Sequence, residues 1–473
     1  MSKSTMPGVI TCLFLCGPAA VLAGDDCPKG TDCDLVYSCH PGLHGVLEGG
    51  PRLVPSVAPS PLAGGVEGVE TILLNGDPSN RVDLVFVGDG YLEPELSAYA
   101  PRCVAALEAL FDEEPFTSYR PFFNAHRVDV VSAESGVDND PVEGIDRNTA
   151  LGMAFWCGGT ERLLCVSVAA AEQAAAAAPD VDQIFAVANS TKYGGAGYSG
   201  NDIGTFSSDN SASLQVAIHE LGHSLGNLAD EYHYGGGSTW TGTEPSTANI
   251  STLEADEMAG SSAKWFRWLG FVQPGVGGHD TFEGAGYHEF GLFRPTANSM
   301  MRELNQRFNM PGREALIIEF SKVVDLIEDR IPADSIVPAD AIASVVAVEP
   351  LHGLDYRWEH DGIEIPNATT SMLDLATIAT LEDGDLISVI VTDSTDMVRD
   401  EAARADWMTD RMDWIVSAPS APDPDLNGDG RVDGADLGIM LLYWGSSGTP
   451  GDLDGDGQVG GPDLGIMLAG WTG

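Results

Sequence analysis

Basic residues are scarce: 23 Lys and Arg stand against 71 Asp and Glu, a formal net charge of -48. Such a chain repels a phosphate backbone, which excludes nucleic-acid binding as a function class. Long apolar runs are also lacking. The one at the N-terminus is interrupted by Pro7, Gly17 and Pro18 and is shorter than the ~20 residues a membrane span needs, so no transmembrane anchor is expected. With Lys3 ahead of it and Val21-Leu22-Ala23 at its end, this run reads as a signal peptide, residues 1–23. Secretion, to the periplasm or the medium, follows. Cysteine is sparse as well. Removal of Cys12 and Cys16 leaves Cys27, Cys33, Cys39, Cys103, Cys157 and Cys165, none in a CxxC pair, which excludes a cysteine-ligated zinc. An even number in an exported chain favours disulfides, with Cys157 and Cys165 the nearest pair.

What is present divides along the chain, which at 473 residues exceeds one ordinary domain. Residues 24–66 carry three of the cysteines and the stretch LEGGPRLVPSVAPSPLAGGVEG, whose Gly and Pro read as a linker. Residues 67–335 alternate strand and helix patterns. RVDLVFVGDGY, AHRVDVVSA, ERLLCVSVA and DQIFAVAN concentrate β-formers, while LSAYAPRCVAALEALF and AAAEQAAAAA are helical, an α/β arrangement. The Gly-rich STKYGGAGYSGNDIGTFSSDNS is expected as an edge strand or rim beside a site. Residues 336–420 hold short β-runs and predict a small β-sandwich with Trp358 or Trp414 in its core. Residues 421–473 contain an internal repeat, DLNGDGRVDGADLGIMLLYWG and DLDGDGQVGGPDLGIMLAGWTG.

The chemistry centres on HELGHSLGNLADEY, residues 219–232. On a helix begun near Ser211 or Ser213, His219 and His223 are i and i+4 and share one face, so both can reach one zinc ion. Glu220, beside the first ligand, is placed to take a proton from a zinc-activated water and pass it to the leaving amine. A third ligand is required. Ala229 cannot supply it, and a continuous helix would carry later residues out of reach at ~1.5 Å per residue. A stop at Gly226-Asn227, both tolerant of the left-handed conformation, would return the chain with Asp230, Glu231 and His233 as candidates. Glu254 and Glu257 of a later helix are a second solution. Ser299-Met300-Met301 forms an S-x-M pattern, and Tyr232, Tyr287 and His288 are candidates to polarise a substrate carbonyl.

In order, VDLVFVGDGY, PFTSYRPFFNAHRVDVVSAESGVDND, NSTKYGGAGY, HELGHSLGNLADEY, AKWFRW and FRPTANSMMREL resemble the zinc metallopeptidases typified by the clostridial IgA peptidase, over about residues 70 to 325. The resemblance implies a metzincin-like catalytic domain with zinc on His219 and His223, Asp230 as third ligand, Glu220 as general base and Met301 in the place of the methionine beneath the metal. It does not carry over an immunoglobulin substrate. The C-terminal repeat offers EF-hand-like Ca²⁺ loops: Asp425, Asn427, Asp429, Arg431, Asp433 and Asp436, then Asp452, Asp454, Asp456, Gln458 and Asp463. Aspartate at position 12 and a single helix after each loop resemble a type I dockerin, which implies calcium-dependent folding and a cohesin-like or cell-surface partner. The expectation is a secreted zinc endopeptidase acting on protein or peptide, with a small helical dockerin-like anchoring module. The alternatives are a non-catalytic adhesion or scaffold protein with a structural metal, and a zinc amidase or exopeptidase acting on cell-wall peptides.

Overall fold

In a computed structural model, residues 31–41, 47–57, 65–198, 200–332, 335–379, 381–417, 423–447 and 450–473 are described; the expected signal peptide and Cys27 lie outside them. The chain divides into two units: Met1–Asp329 with Val346–Asp355 and Ile390–Asp410, and Arg330–Val345 with Tyr356–Val389 and Arg411–Gly473. Residues 346–355 and 390–410, inside the span expected as a separate β-sandwich, thus belong to the first unit.

The first unit is built on strands β1 (Cys33–Pro41), β2 (Leu47–Pro55), β3 (Val66–Leu73), β4 (Val82–Asp89), β5 (Phe123–Val130), β6 (Gln183–Ala188), β7 (Gly195–Tyr198) and β8 (Ile203–Ser207). They form one sheet in the order β2-β1-β7-β8-β6-β4-β5-β3. Neighbours among β5, β4, β6 and β8 are parallel, while β3, β7 and β1 run antiparallel to their neighbours. Helices α1 (Leu96–Phe111), α2 (Val168–Ala175) and α3 (Ser213–Ser224) cover it. The two-residue period of β4 sends Val85 and Val87 into a core with Ala170, Ala171 and Ala174 of α2. Phe86 faces the other way, among Ala106 and Leu110 of α1 and Ala217 and Ile218 of α3. Buried Asp89, ending β4, accepts hydrogen bonds from Leu151 N, Met153 N, Thr149 Oγ1 and Ser132 Oγ, which ties residues 132–153 to the sheet.

Two expectations change. Residues 47–55, read as linker, are strand β2; because β2 ends the sheet, its Gly49, Gly50 and Pro51 are tolerated, and Val54 is buried in the core. ERLLCVSVA is no strand. Leu163–Val166 are fully buried but make only isolated bridges, since a short apolar run marks burial rather than strand. Cys157 and Cys165, the pair expected from proximity, form a disulfide. Cys103 instead is a free thiol buried in α1, which the even cysteine count did not anticipate.

The unit continues with α4 (Ala255–Ser261), hairpins of β9 (Val272–Gln273) with β10 (Gly277–Gly278) and of β11 (Phe282–Ala285) with β12 (His288–Arg294), then α5 (Met310–Val323) and α6 (Glu401–Trp407). The second unit contains β13 (Ile336–Pro338), β14 (Ile342–Ser344), β16 (Ile363–Glu364), β17 (Met372–Asp374) and the greater part of β15 (Asp355–His360), β18 (Leu386–Thr392) and β19 (Thr409–Ser417); these strands form a five-stranded sheet β13-β19-β18-β15-β16 and a two-stranded pair β14-β17. Both candidate core tryptophans serve: Trp358 and Trp414 stack at 5.5 Å, and Trp358 Nε1 donates to Thr370 O. The tail carries α7 (Gly434–Leu442) and α8 (Gly461–Ala469) around Val432, Met440, Leu453, Val459 and Met467. Among the described residues no helix is long and apolar enough to cross a membrane.

Candidate metal centre

α3 presents its apolar face, Val216, Ala217, Ile218 and Leu221, to the protein interior and carries His219, Glu220 and His223 on the same turns, all buried. Neither serine caps it. The helix begins at Ser213 with Ala212 as cap residue, and Asn210 Oδ1 accepts from Ala212 N just ahead of it. At its end Leu225 N–H closes onto Leu221 O and Leu228 N–H onto Gly222 O, with Asn227 at φ 46°. Gly226 is needed for a different reason from the one expected. It is not left-handed, but a Cβ there would lie 2.8 Å from Leu316 Cδ2 and 2.9 Å from Gly222 O.

The return brings Asp230 to the histidines. Its Oδ1 lies 3.1 Å from His219 Nε2 and 3.3 Å from His223 Nε2, and the two Nε2 atoms are 3.1 Å apart. Ligands held at ~2.0–2.1 Å in a tetrahedron stand about 3.3–3.4 Å from one another, so the cluster has the spacing of three corners around one ion. The far side of each ligand is fixed by a second partner. His219 Nδ1 bonds to Met300 O at 2.9 Å, His223 Nδ1 to Leu228 O at 2.7 Å, and Tyr287 Oη to Asp230 Oδ2. Carbonyls on both Nδ1 atoms turn both Nε2 atoms inward, as metal-binding histidines require. Burial opposes the imidazolium form of His223, yet the Asp230 charge and hydrogen bond raise its pKa to about 9. Burial opposes the Asp230 carboxylate too, and His223 and His219 together hold it well below the usual range.

The remaining candidates lie elsewhere. Glu231 is fully buried with a structural set of partners: Asn249 Nδ2 and Asn309 Nδ2 donate to Oε1, and Ser299 Oγ donates to Oε2 at 2.6 Å. Its N–H reaches Met301 O, so this carboxylate pins the Ser299–Met301 turn rather than facing the cluster. Met301 lies under the helix where a Cβ on Gly222 would meet its Sδ at 2.6 Å. His233 is only partly buried and pairs through its backbone with Tyr287. Glu254 and Glu257 cap α4, with Glu254 N–H donating to Glu257 Oε2. Of the three residues considered for carbonyl polarisation, Tyr287 reaches the cluster through Asp230; Tyr232 packs edge-on against it, and His288 packs against Trp240.

Residues that the sequence reading missed are the carbonyls of Met300 and Leu228, the amides of Asn249 and Asn309, Gly197 and Tyr37. Tyr37 of β1 stacks on His223 with ring centroids 4.9 Å apart. A Cβ on Gly197 of β7 would come within 2.5 Å of Glu220 Oε2.

In the tail, Asp452, Asp454 and Asp463 form a second group able to hold a metal. Asp452 Oδ1 is buried with no hydrogen-bond partner. Asp463 is oriented by N–H groups of Leu453, Asp454 and Gly460, and Asp456 accepts from Gln458 N. The first loop is organised alike: Asp425 accepts from Gly428, Asp429 and Gly430 N, and Asp436 from Asn427 and Asp433 N. Asp429 accepts from Arg431 N, while Asp433 caps α7 through Ala435 N.

A helix-borne pair of histidines and an aspartate returned to them form a buried group able to hold a metal ion. Residues 71–277 match the family described as IgA Peptidase M64. This stretch includes the end of β3, strands β4 to β8, α3 and Asp230, and stops before the Ser299–Met301 turn. The similarity supports peptide hydrolysis and a protein or peptide substrate. No curated protein matches the chain.

Proposed function

We propose that the protein is an exported zinc endopeptidase, with His219, His223 and Asp230 as zinc ligands and Glu220 as general base. The carrying observation is the convergence of two Nε2 atoms from α3 and one Oδ1 from the chain that returns after it, at 3.1–3.3 Å, with Glu220 buried on the same helix. Two nitrogens and one carboxylate oxygen with tetrahedral spacing suit zinc, and three protein ligands leave the fourth position that catalysis needs. When bound, the ion supplies Lewis-acid chemistry, acidifying water and polarising the scissile carbonyl. Glu220 accepts the proton of the attacking water and delivers it to the departing amine. Asp230, held by Tyr287, keeps its charge for the ion, and Met300 and Leu228 hold the imidazoles in one tautomer.

Export rests on residues 1–23, and the tail reads as a calcium-stabilised, dockerin-like anchor for a cohesin-like or cell-surface partner. Support for calcium comes from the Asp452, Asp454 and Asp463 group and the unpartnered Asp452 oxygen. Glu220→Gln tests the catalytic reading. Hydrolysis of a mixed peptide library is expected to fall by about a hundredfold or more, with zinc content unchanged. Retained activity refutes the base, and internal cleavage rather than end trimming separates an endopeptidase from an exopeptidase. A scaffold protein would show no cleavage in any form of the chain.

A further inference from the structure

Strand β7 would be a free sheet edge if the hairpin of β1 and β2 were absent, because the order runs β2-β1-β7-β8. That edge borders the metal cluster: α3 lies against β7 and β8, and Gly197 owes its missing side chain to the Glu220 carboxylate beside it. β1 pairs antiparallel with β7 through Val36 opposite Tyr198 and Tyr37 opposite Gly197. The residue opposite Gly197 is therefore the one whose ring stacks on His223. With the hairpin in place His219 and Glu220 are 0% exposed, Asp230 1% and His223 9%.

A base that must meet water and a peptide carbonyl cannot work from such burial. An extended peptide brought to Glu220 along the sheet edge would pair its main chain with β7, through the N–H and C=O groups that β1 now occupies. From the peptidase reading, on which this rests, we infer that the β1–β2 hairpin is a built-in inhibitor: it holds the peptide-binding edge of β7 and closes the metal cluster with Tyr37, so the full chain is latent. Val36 and Val54, both in the core, hold the hairpin by packing as well as by its ladder.

A hairpin that merely protects the sheet edge would need the ladder but not Tyr37 on His223. The test uses the zinc-loaded full chain in three forms: parent, Tyr37→Ala, and a form in which residues 58–64 are replaced by the recognition sequence of a specific protease and then cut. Cleavage of a fluorogenic peptide is expected to rise about tenfold or more in kcat/KM in the second and third forms. In metal-free protein, carbethoxylation of His219 and His223, mapped by mass spectrometry, is expected to be several-fold faster in Tyr37→Ala. Equal turnover and equal modification rates in parent and Tyr37→Ala overturn the inference. Should the cut form unfold by circular dichroism, Tyr37→Ala decides alone. If no form cleaves peptide, the peptidase reading falls, and the modification rates still decide whether Tyr37 shields the cluster.

Discussion

Asp230 and Glu231 are adjacent, both buried and both acidic, yet they have opposite surroundings. Asp230 faces two imidazoles that stabilise its charge, whereas burial pushes Glu231 up despite hydrogen bonds from Ser299, Asn249 and Asn309. Carboxylates raised by burial in this way are stability switches, and the partly buried Asp182 is the one best suited to measurement. Burial, aided by the nearby charges of Asp180, Asp83 and Asp202, raises it to about 7, although Asp83 N–H donates to its Oδ2. Between its ordinary value of 3.8 and about 7 the folded state holds a proton the unfolded state has released. Its stabilising contribution is thus present below the lower value and is lost as pH rises through the upper one. Asp182→Asn keeps an acceptor for Asp83 N–H and removes the titration. Urea unfolding is expected to show a gain of about 1–3 kcal/mol above neutrality and a flatter stability profile between the two values. An unchanged profile excludes Asp182 as the source. The two imidazoles and the adjacent carboxylate could be read from residue spacing, because i and i+4 is a local relation. The division of labour between Asp230 and Glu231 could not, because Glu231 is claimed by Asn249, Ser299 and Asn309, far away in sequence.

At the scale of elements, the return after α3 decides whether a third ligand exists. The sequence offered Gly226-Asn227 as a suitable stop, and α3 ends just before it, at Ser224 with Leu225 as C-cap, but the two residues contribute differently. Asn227 takes the left-handed conformation, while Gly226 makes room for Leu316 of α5 and the Gly222 carbonyl. That carbonyl also accepts from Leu228 N, the residue whose own carbonyl orients His223. A methyl group at 226 has backbone on one side and a buried leucine on the other. Gly226→Ala is expected to cost about 1–3 kcal/mol of stability by overpacking. It is also expected to weaken zinc binding, because the turn that carries Asp230 is displaced. Chemical unfolding and zinc titration check the two effects, and a variant of parental stability and affinity would remove Gly226 from the argument. Strands β4, β5 and β6 were legible because they are local apolar runs with turn signals at their ends. The β1–β2 hairpin was hidden behind Gly49, Gly50 and Pro51, and its pairing with β7 joins segments far apart in sequence.

For the whole molecule, the net charge of -48 sets the conditions under which the tail can fold. Its core is five buried side chains, Val432, Met440, Leu453, Val459 and Met467, too few to offset the ordering of both loops and both helices unaided. The loops concentrate carboxylates that repel one another without a cation, and Asp452 Oδ1 is buried with nothing to bond. Binding of Ca²⁺ would then be folding free energy for this module. In the full-length protein, a calcium-selective chelator is expected to remove the helical signal of α7 and α8 and to abolish a separate thermal transition, while zinc content and peptide cleavage in the Tyr37→Ala form persist. Asp452→Ala with Asp463→Ala is expected to reproduce the effect with calcium present. A heat-capacity trace indifferent to chelator would mean that the tail folds on its hydrophobic residues alone, and the calcium assignment would fall while the zinc site stood.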